Sequence, residues 1–307
     1  MNRRKLTALF IVLLTPLFLY PEEIRKETRI FAVKDQQELK MDIYSSCTSS
    51  VSAQPCLLFV FGGGFKEGTR DAALYTDYFR YFADKGFQVV SIDYRLGMKG
   101  QKAPGIFNNK PLQHAIALAV EDVYSATNYL LQHAAELNID TSRIIISGSS
   151  AGAMTVLQAD YEKRDHRETT RVLPDGFQYV GVIAFAGSVF SKEGTPSYDT
   201  APAPTLFFHG SKDKLVPYNK TRFFKLGVFG SKSLAKRFKE QGYPYTFYTM
   251  EGIGHDVSEY PMTEFLPEIE QFIRNFVFDK KQWMLEIYLK DKFRKSDTST
   301  DPGSYYK

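Results

Sequence analysis

Apolar residues fall along this chain in two rhythms. Short continuous runs recur at residues 56–61 (CLLFVF), 87–94 (FQVVSIDY), 144–147 (IIIS), 180–185 (VGVIAF), 205–208 (TLFF) and 245–250 (YTFYTM). Runs of this length, bounded by Gly, Pro and polar residues, predict strands buried on both faces of a parallel sheet. Residues 29–33 and 39–44 instead alternate apolar and polar positions, which predicts a half-buried hairpin. Between the strands lie stretches of helical period. Residues 75–85 end at Gly86, and residues 112–137 carry Ile116, Val120, Val123, Leu130 and Leu131 on an apolar face. Residues 153–159, 234–241, 262–277 and 280–293 also read as helices. Strands alternating with helices predict an α/β domain over residues 22–295, with a mainly parallel central sheet and helices on both faces. The stretches 98–111 and 188–204 are Gly/Pro-rich or polar and read as loops, the second with room for only a small lid.

The two ends depart from this pattern. Arg3, Arg4 and Lys5 precede an apolar stretch that runs to Tyr20. That is the layout of a signal-peptide core and is short for a membrane span. No A-x-A pattern precedes Pro21. Residues 1–21 are therefore expected to be a signal peptide or a short N-terminal anchor, and the protein to be exported, as a periplasmic or secreted species. Residues 296–307 form a polar tail, expected to be mobile.

Composition narrows the classes. Of 307 residues, 43% are hydrophobic and 15% aromatic, enough for one large core rather than a disordered chain. The formal net charge is +4, but Lys and Arg are dispersed among acids, which excludes the basic face that nucleic-acid binding requires. The only cysteines are Cys47 and Cys56, with no CxxC and no Cys/His cluster, so no metal site is expected. In an oxidising compartment the pair would close a short loop worth roughly 2.7 kcal/mol; otherwise they are two thiols.

The candidate chemistry centres on Ser150. Residues 148–152, GSSAG, fit G-x-S-x-G between a buried strand and a helix. In that setting a tight turn lifts a serine hydroxyl clear of the sheet, and glycines two residues before and after allow the backbone to approach its neighbours. Serine needs a base to take its proton and a carboxylate to orient that base. On this topology the order is Ser, then acid, then His. His114 and His133 precede Ser150, His166 lies in a charged stretch, and His209 precedes the best acid. His255, in a Gly-rich loop after a strand, remains. Asp213, in a loop after the 205–208 strand, is the best acid, ahead of Asp199 and Asp256. Backbone N–H donors for a developing oxyanion are expected from Ala151 and from the Gly62-Gly63-Gly64 turn, chiefly Gly63 and Gly64.

Taken together, FVFGGGF at 59–65, SIDYRL at 91–96, GSSAG at 148–152, HGSKDKLVP at 209–217 and GIGH at 252–255 resemble the α/β-hydrolase superfamily. Within it the likeness is to serine esterases of the hormone-sensitive-lipase and bacterial feruloyl/acetyl-esterase type. The resemblance implies Ser150 as nucleophile, Asp213 as orienting acid, His255 as general base, and Gly63, Gly64 and Ala151 as oxyanion donors, with no cofactor. It departs at Phe61, where many relatives carry histidine before the glycines. It implies hydrolysis of a small-molecule or carbohydrate ester, with short-acyl or feruloyl groups favoured over long-chain lipid. A dipeptidyl-peptidase-like serine peptidase, an acyltransferase and a non-catalytic binding module on the same fold stand as alternatives.

Overall fold

A computed structural model of the chain describes residues 23–47, 52–105 and 108–307. The targeting segment expected over residues 1–21 lies outside the described residues, as does part of the 98–111 loop. The chain opens with an antiparallel hairpin of β1 (Ile24–Lys34) and β2 (Gln37–Ser46). There follow β3 (Gln54–Val60), α1 (Thr76–Asp84), β4 (Gln88–Ile92), α2 (Lys110–Gln132), β5 (Ile139–Ser149), α3 (Ala151–Arg164), β6 (Gly181–Phe185) and β7 (Ser188–Ser191). Then come β8 (Thr205–Gly210), β9 (Lys220–Phe223), β10 (Leu226–Gly230), α4 (Ser231–Gln241), β11 (Tyr245–Met250), α5 (Pro261–Glu264), α6 (Leu266–Phe272), β12 (Met284–Leu289) and α7 (Pro302–Tyr305).

Among the described residues, nine strands form one sheet in the order β1-β2-β4-β3-β5-β6-β8-β11-β12. From β4 to β12 every pairing is parallel. The continuous apolar runs are buried because both faces of such a sheet are covered. Leu57, Leu58, Phe59 and Val60, Ile144 to Ile146, and Phe207 and Phe208 are all fully inaccessible. Strands β3, β5, β8 and β11 open into turns and loops along one edge, the carboxyl edge, where ligands bind in parallel α/β sheets.

Three local readings need correction. Residues 280–293, expected as a helix, contain strand β12, which runs parallel to β11 from Tyr245/Met284 to Met250/Leu289. A short apolar run flanked by lysines is compatible with either state, and the open edge of β11 supplies the backbone partners that select the strand. The stretch 188–204 is not wholly loop: β7 pairs with β10, and β10 with β9, in a small antiparallel sheet. The tail from residue 296 is packed rather than free. Ser296 Oγ accepts from the Gly254 N–H at 2.7 Å, and Tyr306 Oη donates to the Gly64 carbonyl at 2.7 Å. Cys56 is buried in β3, Cys47 is exposed, and both are free thiols; burial pushes the Cys56 thiol well above its ordinary range.

Arg95 joins β4 to α2. Its guanidinium spans both oxygens of the fully buried Asp122 at 2.9–3.1 Å, its own N–H donates to Asp122 at 2.8 Å, and Lys34 lies 3.0 Å from the same carboxylate. Without Asp122 the Arg95 guanidinium keeps only the exposed Asp35 and Glu121, at 2.9 and 2.8 Å, and its backbone N–H loses its acceptor. Asp122→Ala is therefore expected to lower unfolding free energy by about 1–3 kcal/mol in chemical denaturation.

Candidate active site

Ser150 sits at the end of β5, where the chain turns sharply into α3. Its backbone holds φ 51° and ψ −113°, a strained conformation for a residue with a side chain. The turn is held by the Ser150 N–H donating to the Phe185 carbonyl at 2.8 Å and by the Met154 N–H donating to the Ser150 carbonyl at 2.9 Å. The flanking glycines are required by contact. A Cβ on Gly148 would collide with the Gly152 carbonyl, and one on Gly152 with the Val60 carbonyl of the neighbouring strand.

The turn aims the serine hydroxyl at the loop after β11. Ser150 Oγ lies 2.7 Å from His255 Nε2, and His255 Nδ1 lies 2.7 Å from Asp213 Oδ2. The sequence-predicted trio thus forms one hydrogen-bonded chain across 105 positions between serine and histidine and 42 between histidine and aspartate. The other Asp213 oxygen accepts from the N–H groups of Leu215 (2.9 Å) and Val216 (3.0 Å). Burial works to raise the Asp213 proton affinity, but hydrogen bonds from His209 and His255 outweigh it and hold the carboxyl well below the usual carboxylate range. An ionised Asp213 keeps the His255 proton on Nδ1, leaving Nε2 free to accept from Ser150.

His209, set aside as a base on chain order, is part of this network. Its fully buried ring ends β8 with Nε2 3.3 Å from Asp213 Oδ2 and 3.2 Å from the Val216 carbonyl. Both neighbours of Nε2 accept, so the ring carries a proton there. Nδ1 meets Ser231 Oγ at 2.8 Å. His209 anchors the acid while His255 faces the serine. The signal for it was its place in HGSKD, four residues before Asp213.

The glycine turn after β3 borders the same space. Gly64 and Ala151 line an apolar cavity of about 170 Å³ with Ser150. Gly63 lines a second, more polar cavity of about 260 Å³ with Ser150 and His255. Among the described residues, no acceptor takes the Gly63 or Gly64 N–H. The turn is braced by tyrosines that sequence reasoning did not single out. The Gly62 N–H donates to Tyr75 Oη at 3.1 Å, and Tyr94 Oη donates to the Phe61 carbonyl at 3.2 Å. Phe61 packs its ring 4.5 Å from that of Tyr94, so ring packing and a tyrosine hydroxyl support the turn at the position where the sequence departs from the family resemblance. Gly63 has φ 106°, and a Cβ there would collide with the Glu67 carbonyl. Gly63→Val is expected to displace this turn and to lower kcat for ester hydrolysis by about 10²- to 10³-fold, with the far-UV spectrum retained.

Comparison with known proteins places this geometry in context. The BD-FAE family model matches residues 41–189. Esterase B1 of Culex pipiens is 29% identical over 126 residues, 39% of this chain and 22% of that protein. Esterase LipI of Mycobacterium tuberculosis is 30% identical over 120 residues, 39% of this chain and 32% of that protein. The matched stretches therefore span a third or less of these relatives' own length. A thermophilic esterase from Thermogutta terrifontis superposes with a TM-score of 0.60 at 22% identity, over 82% of this chain and 93% of that one.

Proposed function

We propose that this member of the α/β-hydrolase superfamily hydrolyses carboxylic esters through an acyl-enzyme formed on Ser150. The observation that carries the reading is the Ser150–His255–Asp213 chain, with both links at 2.7 Å, at the meeting point of two cavities. Ser150 Oγ attacks the acyl carbonyl as its proton passes to His255 Nε2, and the oxyanion is received by the N–H groups of Gly63, Gly64 and Ala151. The C–O bond to the alcohol then breaks, and His255 returns its proton to the departing oxygen. A water, deprotonated by His255, attacks the acyl-enzyme carbonyl; its proton returns to Ser150 as the acid leaves. Asp213 stays ionised and stabilises the imidazolium formed at each step.

The cavities suggest how an ester lies. The apolar one, with Phe65, Leu112, Met154 and Val228 among its walls, suits the acyl group. The other, bordered by Glu67, Thr69, Ser258 and Glu259, suits a hydroxyl-rich alcohol. Together with the export expected from residues 1–21, this supports acetyl or feruloyl esters of carbohydrates as substrates.

The test is hydrolysis of p-nitrophenyl acetate, butyrate and octanoate alongside esterified xylan. Rates should fall from acetate to octanoate, with acetate or ferulate released from the polysaccharide. Activity on simple esters without release from xylan would remove the carbohydrate assignment. Turnover of a dipeptidyl p-nitroanilide with no ester hydrolysis would remove the esterase reading in favour of a peptidase.

A further inference from the structure

The most unexpected structure in this chain is the path of its last residues. After β12, Arg294 pairs with Glu264 and covers the Tyr260 ring at 4.0 Å. Ser296 then accepts the Gly254 N–H, immediately before His255, and a Cβ on Gly254 would collide with the Asp297 carbonyl. Asp297 and Asp301 close local turns, the second as a capping box over α7. The segment ends on the glycine turn. Tyr306 Oη donates to the Gly64 carbonyl at 2.7 Å, Lys66 Nζ donates to the Tyr305 carbonyl at 2.6 Å, and Tyr305 Oη donates to Glu67 at 2.9 Å. Lys66 also lies 4.2 Å from the centre of the Tyr305 ring. The segment thus runs from the histidine loop to the glycine turn.

Its two tyrosines, with ring centres 5.2 Å apart, border different cavities. Tyr306 and Pro302 line the apolar cavity, while Tyr305 lines the polar one. A Cβ on Gly64 would come within 2.5 Å of the Tyr305 ring and 2.9 Å of Tyr306 Oη, so the fit of the tail depends on glycine at that position.

We propose that residues 296–306 are a strap that completes the ester site. Its Tyr306 ring forms a wall of the acyl cavity and limits acyl length, and its hydrogen bonds clamp the glycine turn in the conformation that presents the oxyanion donors. This rests on the reading of Ser150 as the nucleophile of an esterase. The strap adds to the walls supplied by the small β7-β10-β9 sheet, whose Phe190, Leu226 and Val228 line the same cavity. Tyr306 is a positioning and specificity residue; it does not touch the reacting atoms.

The test compares the full chain with Tyr306→Ala, Tyr306→Phe and a chain ending at Thr300. In Tyr306→Ala the octanoate-to-acetate ratio of kcat/KM should rise about tenfold, because the cavity gains length. Tyr306→Phe keeps the ring and should keep that ratio, while kcat falls about threefold at constant KM as one hydrogen bond is lost. In the shortened chain, hydrogen exchange at the Lys66 and Glu67 amides, which donate to the Gly63 carbonyl at 3.0 and 3.1 Å, should quicken about tenfold. An unchanged ratio in Tyr306→Ala overturns the wall, and unchanged exchange overturns the clamp. Should the full chain hydrolyse no ester, the failure belongs to the proposed function, and the exchange comparison still decides whether the strap holds the turn.

Discussion

Ser150→Ala is expected to lower kcat for ester hydrolysis by about 10⁴- to 10⁶-fold and to abolish the acyl-enzyme seen by mass spectrometry. The expectation follows from where the hydroxyl sits. Its oxygen is 2.7 Å from His255 Nε2 and borders both cavities, and alanine leaves that imidazole without a partner in the reaction. Whatever rate survives would come from the oxyanion donors and substrate binding alone. The substitution also separates chemistry from folding. Alanine at φ 51° is no more strained than serine, and the two backbone hydrogen bonds that hold the turn do not involve the side chain. The protein should therefore keep its thermal midpoint and its affinity for ester while losing turnover. Retained burst kinetics in the alanine variant would place the nucleophile elsewhere.

Asp213→Asn should reduce kcat by about 10⁴-fold with little change in KM. Asp213 accepts on every side: from His255 and His209 at one oxygen, and from two backbone N–H groups at the other. An asparagine can satisfy the backbone donors only by turning its amide nitrogen toward the histidines. That nitrogen would meet the His209 N–H donor to donor. It would also donate to His255 Nδ1, moving the His255 proton to Nε2, where it blocks acceptance from Ser150. The same variant should alter the acid limb of stability. The Asp213 carboxyl is held below its ordinary value, so its contribution is fully present above about pH 3.9, the unfolded value, and is lost as pH falls through the lower folded value. The asparagine variant lacks that term. Its stability should start lower at neutral pH and fall less steeply below pH 4, as measured by denaturant unfolding across that range.

The positions from which these effects arise were legible to different degrees. The elbow was readable because its requirements are local. A buried strand, a glycine two residues on either side of the serine and a following helix all fall within about fifteen residues, and each leaves its own mark. His209 was harder to read. It shares a motif with Asp213, yet a strand-ending histidine looks the same whether it faces a carboxylate or fills the core. Only the contacts of the folded ring, Nε2 with Asp213 and Val216 and Nδ1 with Ser231, show that it turns toward the acid loop. Tyr75 and Tyr94 fall in a predicted helix and a predicted strand, and both are buried; the hydroxyls that brace the glycine turn carry no periodic signal.

The sequence by itself determined the α/β alternation, the buried strands of the sheet, the elbow at Ser150 and the order of its two partners. These depend on neighbours in the chain or on the burial that a continuous apolar run demands. The tertiary structure alone decided the state of residues 284–289 and the place of the tail. The first is ambiguous in isolation and becomes a strand because β11 offers an open edge. The second is polar and carries no burial pattern, and its bonds to Lys66 and Gly64 join residues 239 and 242 positions apart. Contacts that distant are made by the fold's geometry, after the sheet has brought the glycine turn and the histidine loop to one edge, and nothing in the local sequence of the tail announces them.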